Sequence, residues 1–194
     1  MNEITKHTVT QEQVEHAVRI VLQWVGDDPS REGLLDTPQR FAKAVKEMCA
    51  GYDQDPREIL ERSFGEIDNF NGIIYSGPTP FHSTCEHHLL PFSGVAHFAY
   101  LPKDRVVGLS KMSRLVRCFA KRRQIQERLT SQIADTFNEV FEPRGCGVVL
   151  KASHSCMTCR GIEMEDVSMK TAYMVGEFVD DSTLKREFYD LILV

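Results

Sequence analysis

Ile125-Gln126-Glu127-Arg128-Leu129 is continued at four-residue steps by Ile133, Phe137 and Phe141, broken by Pro143-Arg144-Gly145, and followed by Val148-Val149-Leu150-Lys151-Ala152-Ser153-His154-Ser155. Apolar residues at that spacing line one stripe of an α-helix, and the run after the break has the composition of a strand. Outward from it, Ser110 caps a preceding helix with Met112, Leu115, Val116 and Phe119 on its apolar face. Residues 72–76, 94–101 and 171–178 read as further strands, the second closed by Pro102-Lys103-Asp104. Ser182 caps a last helix carrying Leu184, Phe188, Leu191 and Ile192. Strands come in pairs with helices between them, without strict βαβ alternation. That order predicts an α+β fold with an antiparallel sheet.

The N-terminal third is helical. Residues 10–25 carry Val14, Ala17, Val18, Val21, Leu22 and Val25 on one face, with Thr10 and Gln13 placed for a capping box and Gly26 to end the helix. Thr37-Pro38 starts a second helix, and Asp55-Pro56-Arg57-Glu58 a third. The predicted division is a helical region over 1–65 and a mixed domain over 66–194.

The chain has 194 residues, 42% hydrophobic and 26% charged, with a net charge of −5. These values exclude a disordered or low-complexity chain. Apolar runs fall far short of a membrane span, and the net negative charge argues against a general nucleic-acid binder. No apolar signal segment stands at the N-terminus, so the expectation is a cytoplasmic protein whose six cysteines are metal ligands or buried thiols.

Two segments carry chemistry: Cys85-Glu86-His87-His88 and His154-Ser155-Cys156-Met157-Thr158-Cys159-Arg160-Gly161. Cys85 and His88, three apart, can meet one ion, with Cys156 as third ligand; two thiolates and an imidazole suit Zn²⁺. His154, two before Cys156 on a strand, is expected on the same face. Four protein ligands make a structural zinc and three leave room for water. His87, His154 and Cys159 are each available as a fourth, so spacing alone leaves a catalytic enzyme and a non-catalytic zinc-stabilised interaction protein both open.

Between 111 and 128 lie seven basic residues (Lys111, Arg114, Arg117, Lys121, Arg122, Arg123, Arg128) and one acid, Glu127. Ser110, Lys111 and Arg114 at a helix start suit an anion; Arg117 to Arg123 read as a solvated face. Glu127 could take the paired donors of a guanine edge, but the residues alone favour an ion pair with Arg123 or Arg128.

Taken together, these motifs resemble the GTP cyclohydrolase I family. Gly26-Asp27-Asp28-Pro29-Ser30-Arg31-Glu32-Gly33-Leu34 with Thr37-Pro38-Gln39-Arg40 is similar to its N-terminal signature. Cys85-Glu86-His87-His88, Gly108-Leu109-Ser110-Lys111 with Arg114, Gln124 to Leu129, and His154-x-Cys156-Met157-x-x-Arg160-Gly161 are similar to its core motifs. The resemblance implies a tunnelling fold, an antiparallel sheet backed by two helices, over 66–194. Subunit sheets would close into a barrel within pentamers, and two pentamers would stack as a homodecamer with sites between subunits.

The implied activity converts GTP and water to 7,8-dihydroneopterin triphosphate and formate, the first step of pterin and folate biosynthesis. By the same resemblance Cys85, His88 and Cys156 bind one zinc, which activates water toward guanine C8. His154 and His87 handle protons, Ser110 lies near the ribose and phosphates, and Glu127 with Gln126 reads guanine. Lys43, Arg40, Lys111, Arg114 and Arg160 contact the triphosphate. The expected partners are GTP and further copies of the chain, with no nucleic acid and no membrane. Cys159 and His82 depart from the motifs; His82 reads as structural.

Overall fold

The computed structural model describes residues 9–65, 67 and 70–193 of the chain. It divides between Met48 and Cys49 into two compact units. In the first, helix α1 (Gln11–Trp24) packs on α2 (Thr37–Met48). The Thr10–Gln13 capping box forms as the sequence predicts, satisfying donors at the first turn from both sides. Gly26 takes φ +89°, a left-handed conformation that ends the helix cheaply only in glycine. Thr37 is itself helical rather than the cap.

The second unit begins with a short helix α3 (Pro56–Leu60), capped by the Asp55 side chain on the Arg57 N–H at 2.8 Å. A two-stranded ribbon pairs β1 (Ser63–Phe64) with β4 (Val106–Val107). The main sheet has the order β5-β2-β3-β6-β7, from β2 (Ile74–Cys85), β3 (Pro91–Leu101), β5 (Arg123–Gln124), β6 (Gly145–His154) and β7 (Met169–Gly176). Its long pairings are antiparallel, and β5 joins the end of β2 in parallel. The α+β expectation therefore holds. Strand β2 runs well past the expected 72–76 and crosses Gly77-Pro78 through a register shift between Ser76 and Thr79.

Two helices, α4 (Leu109–Ala120) and α5 (Gln126–Phe141), cover one face of the sheet. Met112, Leu115, Val116 and Phe119 from α4 join Leu129, Ile133, Phe137 and Phe141 from α5 over Phe81, Phe98, Tyr100, Val148 and Leu150. This is the apolar stripe of the sequence, turned wholly inward. Glu142 ends α5 at φ 52°, and Pro143 prevents its continuation. Gly108, not Ser110, holds the cap position of α4, so Ser110 lies within the first turn.

Strand alternation feeds the other face. Ala99 and Leu101 of β3 and Val149 of β6 meet Phe178 of α7 (Glu177–Asp180) and Phe188 of α8 (Ser182–Leu193). Asp181 caps α8, accepting from the Thr183 and Leu184 N–H groups, so the cap lies one residue before Ser182. A one-turn helix α6 (Ser155–Thr158) follows β6 directly. None of the helices among the described residues is long and apolar enough to cross a membrane.

On this second face His97 Nδ1 is 2.7 Å from the Tyr75 hydroxyl, and burial lowers the proton affinity of the ring. The fold therefore keeps His97 neutral, whereas the unfolded chain takes up its proton near pH 6.5. Stability should be intact above about pH 6.5 and fall as the pH drops from there through the depressed folded value. Denaturant titrations from pH 7.5 to 5 should show that loss, with a smaller slope in His97→Gln.

Candidate metal centre

The β2–β3 hairpin turn carries the Cys85-Glu86-His87-His88 segment. The Cys85 N–H donates to the Leu90 carbonyl at 2.8 Å, and the Leu89 N–H to the Cys85 carbonyl at 2.9 Å. Leu89 sits at φ 57° to close the turn. Across β2 and β3, Thr84 faces Pro91; across β3 and β6, the next residue, Phe92, faces His154. Strand β6 therefore ends beside the hairpin tip, and α6 carries Cys156 onto it. The ligand atoms of Cys85, His88 and Cys156 lie within 4.8 Å of one another, the only such group of three or more among the described residues.

The donor chemistry fits a soft-to-borderline cation. Burial pushes the Cys156 thiol up, and the adjacent Cys85 sulfur pushes it further. Two sulfurs this close resist holding two negative charges, and a divalent ion removes that penalty. Such an ion would be held by two sulfurs and one ring nitrogen. Cys159 stands apart: it is exposed, and its thiol donates to the Ser155 carbonyl at 2.8 Å. His87 brings Nδ1 to 4.0 Å from Cys85 Sγ, but its ring lies at 84° to that of His88 and it is outside the donor group. His82 is exposed on β2, opposite Ser93.

His154 ends β6, whereas Cys156 is already helical, so the two do not share a strand face as their spacing suggested. The His154 ring stacks on Phe92 at 4.5 Å with 4° between planes. Burial lowers its proton affinity, and the Glu127 carboxylate acts in the opposite sense. Its Nε2 lies 2.8 Å from Gln126 Oε1.

A family model described as GTP cyclohydrolase I matches residues 14–193. The chain belongs to the GTP cyclohydrolase I family. A relative named GTP cyclohydrolase 1 from Maricaulis maris (strain MCS10) is 47% identical over 94% of this chain and 89% of that protein. Proteins of the same name from Pelagibacter ubique (strain HTCC1062) and Allorhizobium ampelinum are 43% and 46% identical, over 95% and 94% of this chain and 91% of each.

The remaining residues expected from the resemblance to GTP cyclohydrolase I fall in several places. Glu127 is exposed in the first turn of α5 and makes no ion pair among the described residues; Arg128 turns instead to Glu86, which corrects the pairing that the residues alone favoured. Arg128 also bonds the Gln124 side chain and the Arg123 carbonyl, tying the start of α5 to the hairpin tip. Gln126, expected beside Glu127 at the base, is instead 1% exposed, with its amide bonded at both ends inside the protein. No periodicity or motif signals such a contact.

Lys111 and Arg114 line a cleft of about 560 Å³ together with Arg117 and Lys121, facing Asp53, Asp55 and Glu58. Arg117 is thus part of a cleft wall, and Arg122 is structural, donating to the Gly51 and Gln54 carbonyls. Arg160 is exposed just beyond α6. Arg40 and Lys43 lie on α2 in the first unit, where Arg40 pairs with Asp36.

The donor group makes a direct prediction. Cys159→Ser should leave zinc content at the wild-type level, and Cys156→Ser should reduce it to near zero. Metal analysis of the two purified variants distinguishes this site from a four-ligand site that includes Cys159.

Proposed function

We propose that this chain is a GTP cyclohydrolase that converts GTP and water to 7,8-dihydroneopterin triphosphate and formate at one zinc ion held by Cys85, His88 and Cys156. The observation that carries this reading is the meeting of those three donors, in a chain whose family match runs almost end to end. When bound, zinc supplies a water of lowered pKa as nucleophile.

The chain's own residues do the rest. His154, with its ring plane fixed by Phe92, moves protons at the purine imidazole ring, and imidazole titrates close enough to neutrality to serve. His87, at the lip of the hairpin turn, is the second proton-handling group. Glu127, exposed and unpaired by any cation among the described residues, accepts from N1–H and the 2-amino group of guanine. Lys111, Arg114 and Arg160 hold the triphosphate, with Ser110 beside the ribose.

We further infer that the sheet closes into a tunnelling-fold barrel with neighbouring subunits, in a decamer of two pentamers. Among the described residues, strand β7, eight residues long, has β6 as its only partner in the sheet, and β2 meets β5 only at Thr84 and Cys85. Two long open edges on one sheet favour pairing between copies. A cytoplasmic location accords with six free cysteines.

Incubation of the zinc-loaded protein with GTP should release formate and yield a pterin that fluoresces after oxidation; absence of both overturns the function. Glu127→Gln should raise KM for GTP roughly 10- to 100-fold, the range expected for losing a charge-assisted contact. An unchanged KM removes Glu127 from base recognition. Light scattering should find ten chains per particle, and a monomer would sink the barrel.

A further inference from the structure

We propose that Gln126 is a positioning residue: it holds His154 as the Nε2-protonated tautomer and leaves Nδ1 as the nitrogen that exchanges protons with substrate. The proposal rests on the role given to His154 above and goes beyond it by naming the atom and the group that selects it.

The argument begins with the amide. Gln126 opens α5 and its side chain is buried. Its Nε2 faces three acceptors: the Leu150 carbonyl at 3.3 Å, the Met169 carbonyl at 3.1 Å and Thr171 Oγ1 at 3.1 Å. Backbone carbonyls can only accept, so the NH₂ end of the amide must be the end that meets them. The hydroxyls agree. Thr130 Oγ1 donates to the backbone carbonyl of Gln126 at 2.7 Å, which spends its only proton. In the 2.6 Å contact between the two threonines, Thr171 must then donate to Thr130. Thr171 is thereby left as an acceptor toward Gln126, and each donor in the ring has a place to go.

With Nε2 fixed on the sheet, Oε1 of Gln126 points at His154 Nε2, 2.8 Å away. An amide oxygen has no proton to give, so the imidazole nitrogen is the donor and carries hydrogen. In the neutral ring the lone pair is then on Nδ1. Stacking on Phe92 holds the ring plane and opposes a flip that would put Cε1 where Nε2 meets Gln126.

The consequence is chemical. A proton taken up enters at Nδ1 and leaves from Nδ1, while Nε2–H stays bonded to Gln126, which never gives or receives one. A glutamate at this position would serve less well, because its oxygens would face the Leu150 and Met169 carbonyls, acceptor against acceptor.

The test uses the zinc-loaded full-length enzyme labelled with ¹⁵N-histidine, with His154→Asn identifying the His154 resonances. The expected spectrum has a protonated Nε2 and an unprotonated Nδ1. The near-isosteric Gln126→Met should lose that preference and lower kcat roughly 10- to 100-fold, the usual cost of removing such a support, with KM for GTP changed less than about threefold. A protonated Nδ1 in the wild type overturns the proposal, as does a kcat within about twofold of wild type in Gln126→Met. A raised KM with unchanged kcat does so too, by returning Gln126 to the base. The wild-type spectrum decides the tautomer even if the variant does not fold. Failure of the wild type to release formate strikes the function of the site, whereas an active wild type with the other tautomer strikes Gln126 alone.

Discussion

The register of β3 between its two neighbours is the constraint on which the rest depends. Its first residues, Pro91 and Phe92, pair with Thr84 on one side and His154 on the other. Those two pairings bring the end of β2 and the end of β6 to one edge of the sheet, although they lie far apart in the chain. The hairpin turn then supplies Cys85 and His88, and the helical turn after β6 supplies Cys156. A slip of one residue would reverse the faces of the whole strand and separate the two sulfurs. Gly94 reinforces the fit: a Cβ there would lie 1.9 Å from the Lys151 carbonyl oxygen, so β3 and β6 approach as closely as they do only because that position is bare.

The helices then organise the surroundings of this point. Short β5 pairs with the last residues of β2, and α5 starts immediately afterwards, so Gln126 and Glu127 arrive at the same edge. Arg128 joins that start to Glu86 on the hairpin turn, and holds the Glu86 carboxyl below the usual carboxylate range. The aromatic packing of Phe137 and Phe141 with Tyr100 and Phe98 anchors the far end of α5. A helix fixed at both ends presents its first turn with little freedom.

Much of this was legible in the chain, for physical reasons that also explain what was not. The Thr10 and Asp55 caps and the stripe from Leu129 to Phe141 are local effects, set by residues within four positions. Cys85, His88 and Cys156 stood out because sulfur and imidazole at that spacing have few other uses together. The extension of β2 through Gly77-Pro78 was hidden, since strand pairing with β3 overrides a local stop signal. The caps fall at Gly108 and Asp181, one or two residues before serines whose local signal is the stronger. The position of Gln126 depends on contacts with Leu150 and Met169 that no single segment encodes.

The distance along the chain between the two halves of the metal-binding group has one more consequence. An ion joining Cys85 to Cys156 acts as a cross-link, closing a loop of roughly 70 residues, for which an unfolded chain would give up substantial conformational entropy. Here the pairing of β3 with β2 on one side and with β6 on the other also closes that loop. An ion held between those two sulfurs would therefore bridge a loop that backbone pairing also closes, and little of its binding free energy would go to drawing the polypeptide together.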